Sequence, residues 1–282
     1  MRYFIFNGKS YSEGQAVLSP DSRAARYGDG LFETMRLVDG RLILPDEHFS
    51  RLWKGMQLLK FEVPKLFTPD KLMTEIIQLA KKNKLADARI RLAVFRGNGG
   101  LYDAENMQPN YTIQAWPLPL ENGQLNHNGL QLGIFKDGVK SCDAFANIKH
   151  NNYLPYFMGA LFAKENKYND AVILNQHGRV CDSTIANIFM VKNESIYTPA
   201  LSEGCIAGIV RKALLQTLPA AGFEITETEI SIETLKSADE IFLSNSIYNI
   251  RWVAGLENSS YRNPFIQKID MALKQTNKEV FC

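Results

Sequence analysis

Residues 147–189 read NIKHNNYLPYFMGALFAKENKYNDAVILNQHGRVCDSTIANIF, and the rest of the chain is organised around this segment. Its pattern predicts a helix over 152–166, a buried strand over 171–174 and, after a turn, a second strand that carries Asp182. One lysine, Lys149, lies just before the helix. A lysine attacks a carbonyl only as the free amine, so a partly desolvated lysine with a carboxylate downstream is compatible with a Schiff-base site.

Composition excludes several classes of protein. The chain has 282 residues, 45% hydrophobic and 22% charged, enough for one large domain or two smaller ones. Its net charge of +2 comes without a basic cluster, which argues against nucleic acid as a partner. The four cysteines are widely spaced without a CxxC pair, so we expect no metal site and no disulfide framework. No segment approaches the ~18 apolar residues of a membrane span, and we predict a cytoplasmic protein that does not bind a membrane.

The N-terminal part predicts a sheet with two helices. Asp39–Gly40, between two apolar runs, is typical of a type I′ hairpin turn. Pro45 is a suitable first helical residue. The predicted elements are strands at 3–6, on both sides of the hairpin turn, at 88–95 and at 111–116, with helices after Pro45 and over 69–82.

Periodicity disappears over residues 117–129, PLPLENGQLNHNG, where proline, glycine and asparagine dominate. We therefore predict a small N-terminal α/β domain over 1–118, a linker over 119–128 and a larger C-terminal domain over 129–282. The fold class is mixed α/β (α+β). Further elements of the second domain are strands near 130–135, 185–191, 195–198, 223–226, 241–243 and 250–253, and helices over 208–221, ended by Gly222, and 264–274.

A candidate anion site lies at residues 198–212, TPALSEGCIAGIVRK, where a glycine-containing loop runs into a helix. The backbone N–H groups of Ile209 and Val210 lack partners at such a helix start and suit a phosphate. Arg51, on the first helix, offers a guanidinium fork for the same phosphate. A plain tight loop and a surface arginine are the alternatives, just as Lys149 alone is more often a solvated surface charge.

Taken together, these segments resemble a known family. The chain is similar to the class IV (fold type IV) aminotransferases that use pyridoxal 5′-phosphate, a group that includes branched-chain aminotransferases, D-amino acid aminotransferases and 4-amino-4-deoxychorismate lyases. The resemblance implies two mixed α/β domains, a cofactor in the interdomain cleft and a homodimer. The matching segments, in the family's order, are YGDGLFETMR (27–36), HFSRL (48–52), IKHNNYL (148–154), GRVCDSTIANIF (178–189), YTPALSEGCIAGIVR (197–211) and ADEIFLSNS (238–246).

The resemblance also implies a role for individual residues. Lys149 becomes the catalytic lysine, which forms the Schiff base with the cofactor and moves the proton at the substrate α-carbon. Tyr153 matches the position whose hydroxyl faces the cofactor's 3′-oxygen, and Asn187 holds its loop. The implied phosphate ligands are Arg51, the amides of Ile209 and Val210, and one of Ser244, Asn245 or Ser246.

Two positions depart from the family pattern. The family has glutamate beside the pyridine nitrogen, where this chain has Asp182. A carboxylate there favours the charged ring, but aspartate is one methylene shorter, so the backbone must move closer or a water must bridge the gap. At Val210 the family commonly has threonine, so the amide contact remains while a hydroxyl contact is lost.

The subtype depends on substrate-binding positions. D-amino acid aminotransferases bind the substrate carboxylate with a tyrosine at the position of Phe32, and with an arginine and a histidine near Leu101 and Asp103, so that subtype is disfavoured. Arg91 resembles the arginine that branched-chain enzymes carry on the same strand; a solvent-facing strand arginine is the alternative. RGNGGLY, from Arg96 onward, resembles the glycine-rich loop of the lyases. The resemblance thus implies Phe32, Arg91 and Arg96 as substrate-binding residues.

The sequence therefore predicts a pyridoxal-phosphate-dependent aminotransferase that moves an amino group between an amino acid and a 2-oxo acid, with a branched-chain-like substrate favoured over D-amino acids. One alternative is 4-amino-4-deoxychorismate lyase, which forms 4-aminobenzoate and pyruvate in the folate pathway. A further alternative is a cofactor-binding homologue with impaired turnover, because of Asp182 and Val210.

Overall fold

The computed structural model describes residues 2–118 and 123–281. The chain divides into two compact units, Met1–Leu120 with Ile148–Asn152, and Glu121–Asn147 with Tyr153–Cys282. The segment that carries Lys149 thus groups with the N-terminal unit. Residues 119–122 of the predicted linker lie outside the described residues, and the predicted domain limits stay a prediction.

Unit 1, the N-terminal unit, is a sheet with helices. Its described strands form one sheet in the order β2-β1-β6-β5-β3-β4, and the neighbouring strands pair antiparallel. Its elements are β1 (Tyr3–Phe6), β2 (Lys9–Ser12), α1 (Arg23–Tyr27), β3 (Gly30–Val38), β4 (Arg41–Leu42), α2 (Pro45–Leu58), α3 (Pro69–Lys82), β5 (Ala88–Phe95) and β6 (Asn110–Pro117).

Local sequence explains the ends of these elements. Asp39 and Gly40 have φ values of 49° and 73°, the positive values that the predicted type I′ turn requires. Both long helices begin at a proline in the first turn, and the Thr68 side chain caps α3 by accepting a hydrogen bond from the Lys71 amide at 3.3 Å. Their apolar faces pack on the sheet in a core that includes Met35, Leu52, Met56, Leu72, Ile76 and Ile90.

Unit 2 is a larger mixed sheet with helices. The described strands follow the order β12-β11-β10-β13-β14-β7-β8-β9, and β15 pairs with β14. Its elements are β7 (Leu130–Lys140), α4 (Leu154–Glu165), β8 (Asp170–Asn175), β9 (Val180–Ser183), β10 (Asn187–Lys192), β11 (Ser195–Pro199), a 3₁₀ turn (Leu201–Glu203), α5 (Ile209–Ala220), β12 (Ile225–Thr228), α6 (Ile232–Lys236), β13 (Glu240–Asn245), β14 (Asn249–Leu256), β15 (Ser259–Ser260), α7 (Pro264–Thr276) and α8 (Lys278–Phe281).

Parallel pairing of β7 with β8 requires a crossover, and this crossover contains α4. The mixed α/β prediction is confirmed by the two sheets and their helices. The strand predicted at 223–226 begins only at Ile225, because the amides of Gly222, with a φ of +86°, and Phe223 still donate to the Pro219 and Leu218 carbonyls at the end of α5. Among the described residues, none of the helices has the length and apolar character needed to cross a membrane.

Candidate active site

Lys149 is held on the edge of β3 in unit 1. The Phe32 amide donates to the Lys149 carbonyl and the Asn151 amide donates to the Gly30 carbonyl, both at 2.9 Å. This edge is available because β4 pairs only with Leu37 and Val38, at the far end of β3. Two backbone bonds therefore position the lysine, while its side chain is half-buried.

Phe32 lies close to two cations of unit 1. The Lys149 Nζ is 4.7 Å and the Arg91 guanidinium carbon 3.8 Å from the centroid of its ring. The ring itself is buried. The structure thus brings together the predicted lysine and two predicted substrate residues, and an aromatic face beside two cations suits a small carboxylate with an apolar side chain.

Arg51 belongs to a buried cluster that also contains Glu33 and His48. Its Nε donates to Glu33 Oε1 at 2.8 Å and its Nη2 to Oε2 at 2.6 Å, while His48 Nδ1 lies 2.7 Å from Oε2. Burial opposes ionisation of Glu33, but Arg51 and His48 outweigh it and lower the pKa of Glu33 to about 2. Burial, with the charges of Arg51 and Lys149, lowers the pKa of His48, so a neutral imidazole donates to the carboxylate.

Arg96, which was predicted to bind substrate, makes contacts with other residues of unit 1. Its guanidinium is 2.5 Å from Asp29 Oδ1, donates to the Leu59 carbonyl and lies 4.2 Å from the centroid of the Phe61 ring. These contacts bury the side chain at the start of the glycine-containing loop. Its assignment to substrate binding stays a prediction.

Asp182, in unit 2, is a buried carboxylate with several donors around it. The Tyr156 hydroxyl donates to Oδ2 at 2.7 Å, the Ile206 amide donates to Oδ2 at 2.9 Å, and the Asn187 amide nitrogen donates to Oδ1 at 2.8 Å. Lys140 Nζ lies 3.5 Å from Oδ2. Burial raises the pKa of Asp182 above its ordinary value, while Lys140 and the three hydrogen bonds act in the opposite direction.

Asn187 joins this carboxylate to the start of α5. Besides Asp182, its amide nitrogen donates to the Ile206 carbonyl at 2.8 Å, which matches the role predicted for it in holding the loop. A Cβ atom added to Gly208, the N-cap of α5, would lie 1.9 Å from Asn187 Oδ1, so glycine is required for this close approach. Gly208 provides no side-chain cap, which leaves the first amides of α5, including those of Ile209 and Val210, for an anion.

Three predicted phosphate ligands, Ser244, Asn245 and Ser246, lie at the end of β13 and in the turn after it, and their side chains differ in their contacts. Ser244 pairs with Asn187 across the strands and so shares its face of the sheet, and its buried Oγ has no hydrogen-bond partner within the described residues. Asn245 Oδ1 accepts the amides of Ile247 and Tyr248 at 3.0 and 2.9 Å, so its carboxamide is used inside the turn. Ser246 follows in this turn.

Tyr153 lies at the N-cap of α4 and stacks on Tyr156, with ring centroids 4.4 Å apart. Through Tyr156 it adjoins the carboxylate of Asp182. Unit 2 therefore offers an ionisable carboxylate for a ring cation, an orphaned Ser244 hydroxyl and an uncapped helix start for a phosphate. This donor set fits pyridoxal 5′-phosphate, which carries both groups.

Four residues with evident roles were missed by sequence reasoning. Glu33 holds Arg51, and its signal was a carboxylate on a largely apolar strand that also carries Arg36. His48 opens the HFSRL segment but was not assigned a role. Tyr156 lies three residues after Tyr153, a helical spacing that places both on one side of α4. Lys140 carries no local signal, because its contact with Asp182 depends on the strand arrangement.

Comparison with known proteins gives a consistent result. The sequence model described as "Amino-transferase class IV" matches residues 30–256. A branched-chain-amino-acid aminotransferase of Salmonella typhimurium is 28% identical over 96% of this chain and 91% of its own length. An aminodeoxychorismate lyase of Vibrio harveyi is 28% identical over 83% of this chain and 85% of its own length.

Solved structures agree on the fold. A branched-chain aminotransferase of Thermoproteus uzoniensis, solved with norvaline, has a TM-score of 0.87 at 23% identity and covers 99% of this chain and 97% of its own. A branched-chain amino acid aminotransferase of Escherichia coli has a TM-score of 0.87 at 24% identity and covers 99% and 95%. The predicted fold type is thereby confirmed. Another branched-chain amino acid aminotransferase, with a TM-score of 0.86 at 20% identity, was solved with pyridoxamine 5′-phosphate.

Proposed function

The chain belongs to the class IV aminotransferase family and is an enzyme of that family, and from this premise we propose that it binds pyridoxal 5′-phosphate and moves an amino group between an amino acid and a 2-oxo acid. We further propose a branched-chain-like amino acid as the donor. The Salmonella typhimurium relative supports this choice, and so does Phe32 with Arg91 beside it, since the ring offers apolar contact and the guanidinium a partner for a carboxylate.

The observation that carries the proposal is the Asp182 cluster of unit 2. The Oδ2 atom of this buried carboxylate accepts from Tyr156, Ile206 and the Cys181 thiol, whereas Oδ1 accepts from Asn187 and retains one acceptor position. A carboxylate in this state suits a protonated pyridine nitrogen. When bound, the cofactor supplies a ring that accepts electrons from the substrate α-carbon.

The chain's own residues have distinct tasks in this proposal. Lys149 holds the cofactor covalently and moves the proton at the substrate α-carbon. Asp182 holds the proton on the ring nitrogen, and Tyr153 binds the 3′-oxygen. The proposed phosphate ligands are Arg51, the amides of Ile209 and Val210, and the group at Ser244, Asn245 and Ser246.

The proposal is tested by incubating the purified protein with pyridoxal 5′-phosphate, 2-oxoglutarate and one amino acid at a time from a panel of L- and D-amino acids. Chromatography then measures glutamate and the new 2-oxo acid. We expect L-leucine, L-valine and L-isoleucine to give both products in equal amounts. The absence of glutamate with every amino acid would refute amino-group transfer.

Aminodeoxychorismate lyase is the second candidate. The observation that favours it is the equal identity, 28%, to the Vibrio harveyi lyase and to the Salmonella typhimurium aminotransferase. A coupled assay with lactate dehydrogenase detects pyruvate released from 4-amino-4-deoxychorismate. Pyruvate release without any amino-acid dependence would assign the chain to the lyase reaction instead.

We also propose a homodimer and a cytoplasmic location. Four apolar side chains at helical spacing on α4, those of Leu154, Phe157, Met158 and Leu161, are exposed in the single chain. An exposed apolar stripe of this kind is typical of a protein–protein interface. A second copy of the chain is the partner that the family resemblance implies.

A further inference from the structure

The sheet of unit 2 has two bulges, one on β7 and one on β9, and both lie next to Ile173 and Leu174 of β8. On one side, Ile173 and Leu174 pair with Phe135 and Val139 of β7, so residues 136–138 have no partner on β8. On the other side, they pair with Asp182 and Val180 of β9, so Cys181 is the extra residue. Such bulges redirect the side chains that follow or precede them. Here they bring Lys140 on β7 to within 3.5 Å of Asp182 on β9, although β8 lies between the two strands.

Lys140 is an unusual residue for this place in a core. Its side chain is 6% exposed, and its Nζ has no hydrogen-bond partner within the described residues. The ammonium lies 5.3 Å from the centroid of the Tyr156 ring, in addition to its approach to Asp182. Burial of an ammonium is costly and an apolar side chain would fill the same space, so the positive charge itself indicates a role.

The other titratable groups around the Asp182 carboxylate are neutral near pH 7, so among the described residues the charge of Lys140 acts on it without a competing ion nearby. The titratable groups that face Asp182 are Tyr156 on α4, Cys181 on β9 and Cys205 before α5, and burial raises the pKa of all three, so they are neutral near pH 7. Asn187 on β10 and the Ile206 amide are neutral donors. Lys140 is the charged group whose attraction favours the ionised form of Asp182.

We infer that Lys140 is a positioning residue whose charge beside Oδ2 keeps Asp182 ionised and leaves Oδ1 to accept a hydrogen bond from the protonated ring nitrogen of a pyridine-type ligand. Oδ2 already accepts from Tyr156 and Ile206, whereas Oδ1 accepts from Asn187 and retains an acceptor position. Without Lys140 the carboxyl takes up a proton and no longer stabilises a ring cation. The identity of the ligand rests on the proposed function, but the effect on Asp182 does not.

The first test uses the full-length chain without cofactor. Urea unfolding of the Lys140→Met and Lys140→Arg variants is measured from pH 5 to pH 8. Because burial raises the pKa of Asp182, the folded protein binds more protons than the unfolded chain below that pKa, and stability falls as pH rises towards it. Removing the positive charge extends this fall to higher pH. We therefore expect the stability of Lys140→Met relative to Lys140→Arg to decrease as pH rises.

A stability difference that stays constant across this pH range would overturn the inference, since lost packing alone does not depend on proton uptake by Asp182. Lys140→Gln supplies a second neutral side chain should the methionine variant fail to fold. Lys192→Met is the matched control, because it removes an exposed lysine from its pair with Asp239, 3.1 Å away on the same unit.

The second test measures pyridoxal 5′-phosphate binding at pH 8 by absorbance titration. We expect the Kd of Lys140→Met to rise about tenfold, the factor that corresponds to about one pKa unit, and the Kd of Lys140→Arg to stay near that of the wild type. Equal Kd values for the wild type and Lys140→Met would overturn the positioning role. Failure of the wild type to bind would instead refute the proposed function, and the unfolding test would still decide the effect of Lys140 on Asp182.

Discussion

Arg51 and Glu33 form a two-point ion pair in which Nε and Nη2 of the guanidinium donate to the two carboxylate oxygens at 2.8 and 2.6 Å. The fork geometry fixes the plane of the guanidinium, because both donors of one edge are engaged. Glu33 is 1% exposed, and its Oε2 also accepts a hydrogen bond from His48. A phosphate ligand at Arg51 would therefore meet a cation that is already oriented.

The Glu33→Gln variant should lose stability in a pH-dependent way. The pKa of Glu33 falls from 4.5 to about 2 in the folded protein, so the ionised carboxylate contributes stability that is fully present above the ordinary pKa and is lost as pH falls towards 2. We expect a loss on the order of 3 kcal/mol in the free energy of unfolding at pH 7. Urea unfolding at pH 7 and pH 3 measures both values, and the loss should shrink at the lower pH.

Glu13→Gln serves as the control for this variant. Glu13 forms an exposed pair with Arg2 at 3.6 Å, so its replacement should change stability by less than about 1 kcal/mol at either pH. If Glu33→Gln lost the same free energy at both pH values, the pair with Arg51 would not be the source of the effect.

Lys149→Ala should abolish covalent attachment of the cofactor. After borohydride reduction in the presence of pyridoxal 5′-phosphate, peptide mass spectrometry of the wild type should show a pyridoxyl label on Lys149, and the variant should show none. Activity should fall by at least about 1000-fold, because the proposed function assigns the proton transfer to Lys149. Lys164→Ala, an exposed change at the end of α4, should retain both label and activity; a label that persisted in Lys149→Ala would identify another lysine.

Replacement of Asp182 by asparagine should lower activity, and replacement by glutamate should lower stability. Asp182→Asn removes the charge that is proposed to stabilise the protonated ring nitrogen, and we expect a fall of about 100-fold or more in kcat/KM. Asp182→Glu adds a methylene where the partners already lie at 2.7 to 3.5 Å, which should cost about 1–3 kcal/mol in unfolding free energy. Thermal unfolding and steady-state kinetics measure both effects. A gain of activity in Asp182→Glu would show that the site is built for the longer side chain.

The sequence was sufficient for the elements that have strong local signals. Pro69 and the apolar spacing after it predicted a helix over 69–82, and α3 spans these residues. The Asp39–Gly40 turn followed from its residue types. The short helix Arg23–Tyr27 was missed, because five residues without a buried side chain carry no periodic pattern.

Contacts across the sheets could not be predicted in the same way. Glu33 and Arg51 are 18 positions apart on different elements, and only the packing of α2 against β3 brings them together. Lys140 reaches Asp182 because two insertions coincide beside β8. Gly138 marks the one on β7 as a candidate bulge, but no residue type marks the one at Cys181. The insertion at Cys181 immediately precedes Asp182, so the backbone beside this carboxylate departs from regular pairing. How the shorter side chain reaches a ring nitrogen stays a prediction.

Arg91→Met should weaken substrate binding more than turnover. If Arg91 holds the substrate carboxylate through its guanidinium beside Phe32, its loss removes about 1.5–3 kcal/mol of charge-assisted hydrogen bonding and raises KM about 10- to 100-fold. Arg89→Met on the same strand is the control, since Arg89 lies over the Trp116 ring instead. Steady-state kinetics with the best amino acid of the panel separate KM from kcat, and an unchanged KM would remove Arg91 from the substrate site.

Phe157→Glu should disrupt the proposed dimer. Phe157 is 57% exposed in the single chain and lies in the middle of the apolar stripe formed by Leu154, Met158 and Leu161 on α4. A carboxylate buried in an interface between two copies would lack a partner and oppose association. Sedimentation velocity should show a dimer for the wild type and a monomer for the variant, while Met271→Glu, an equally exposed change on α7, should remain dimeric. A dimer that survives Phe157→Glu would place the interface on another surface of the chain.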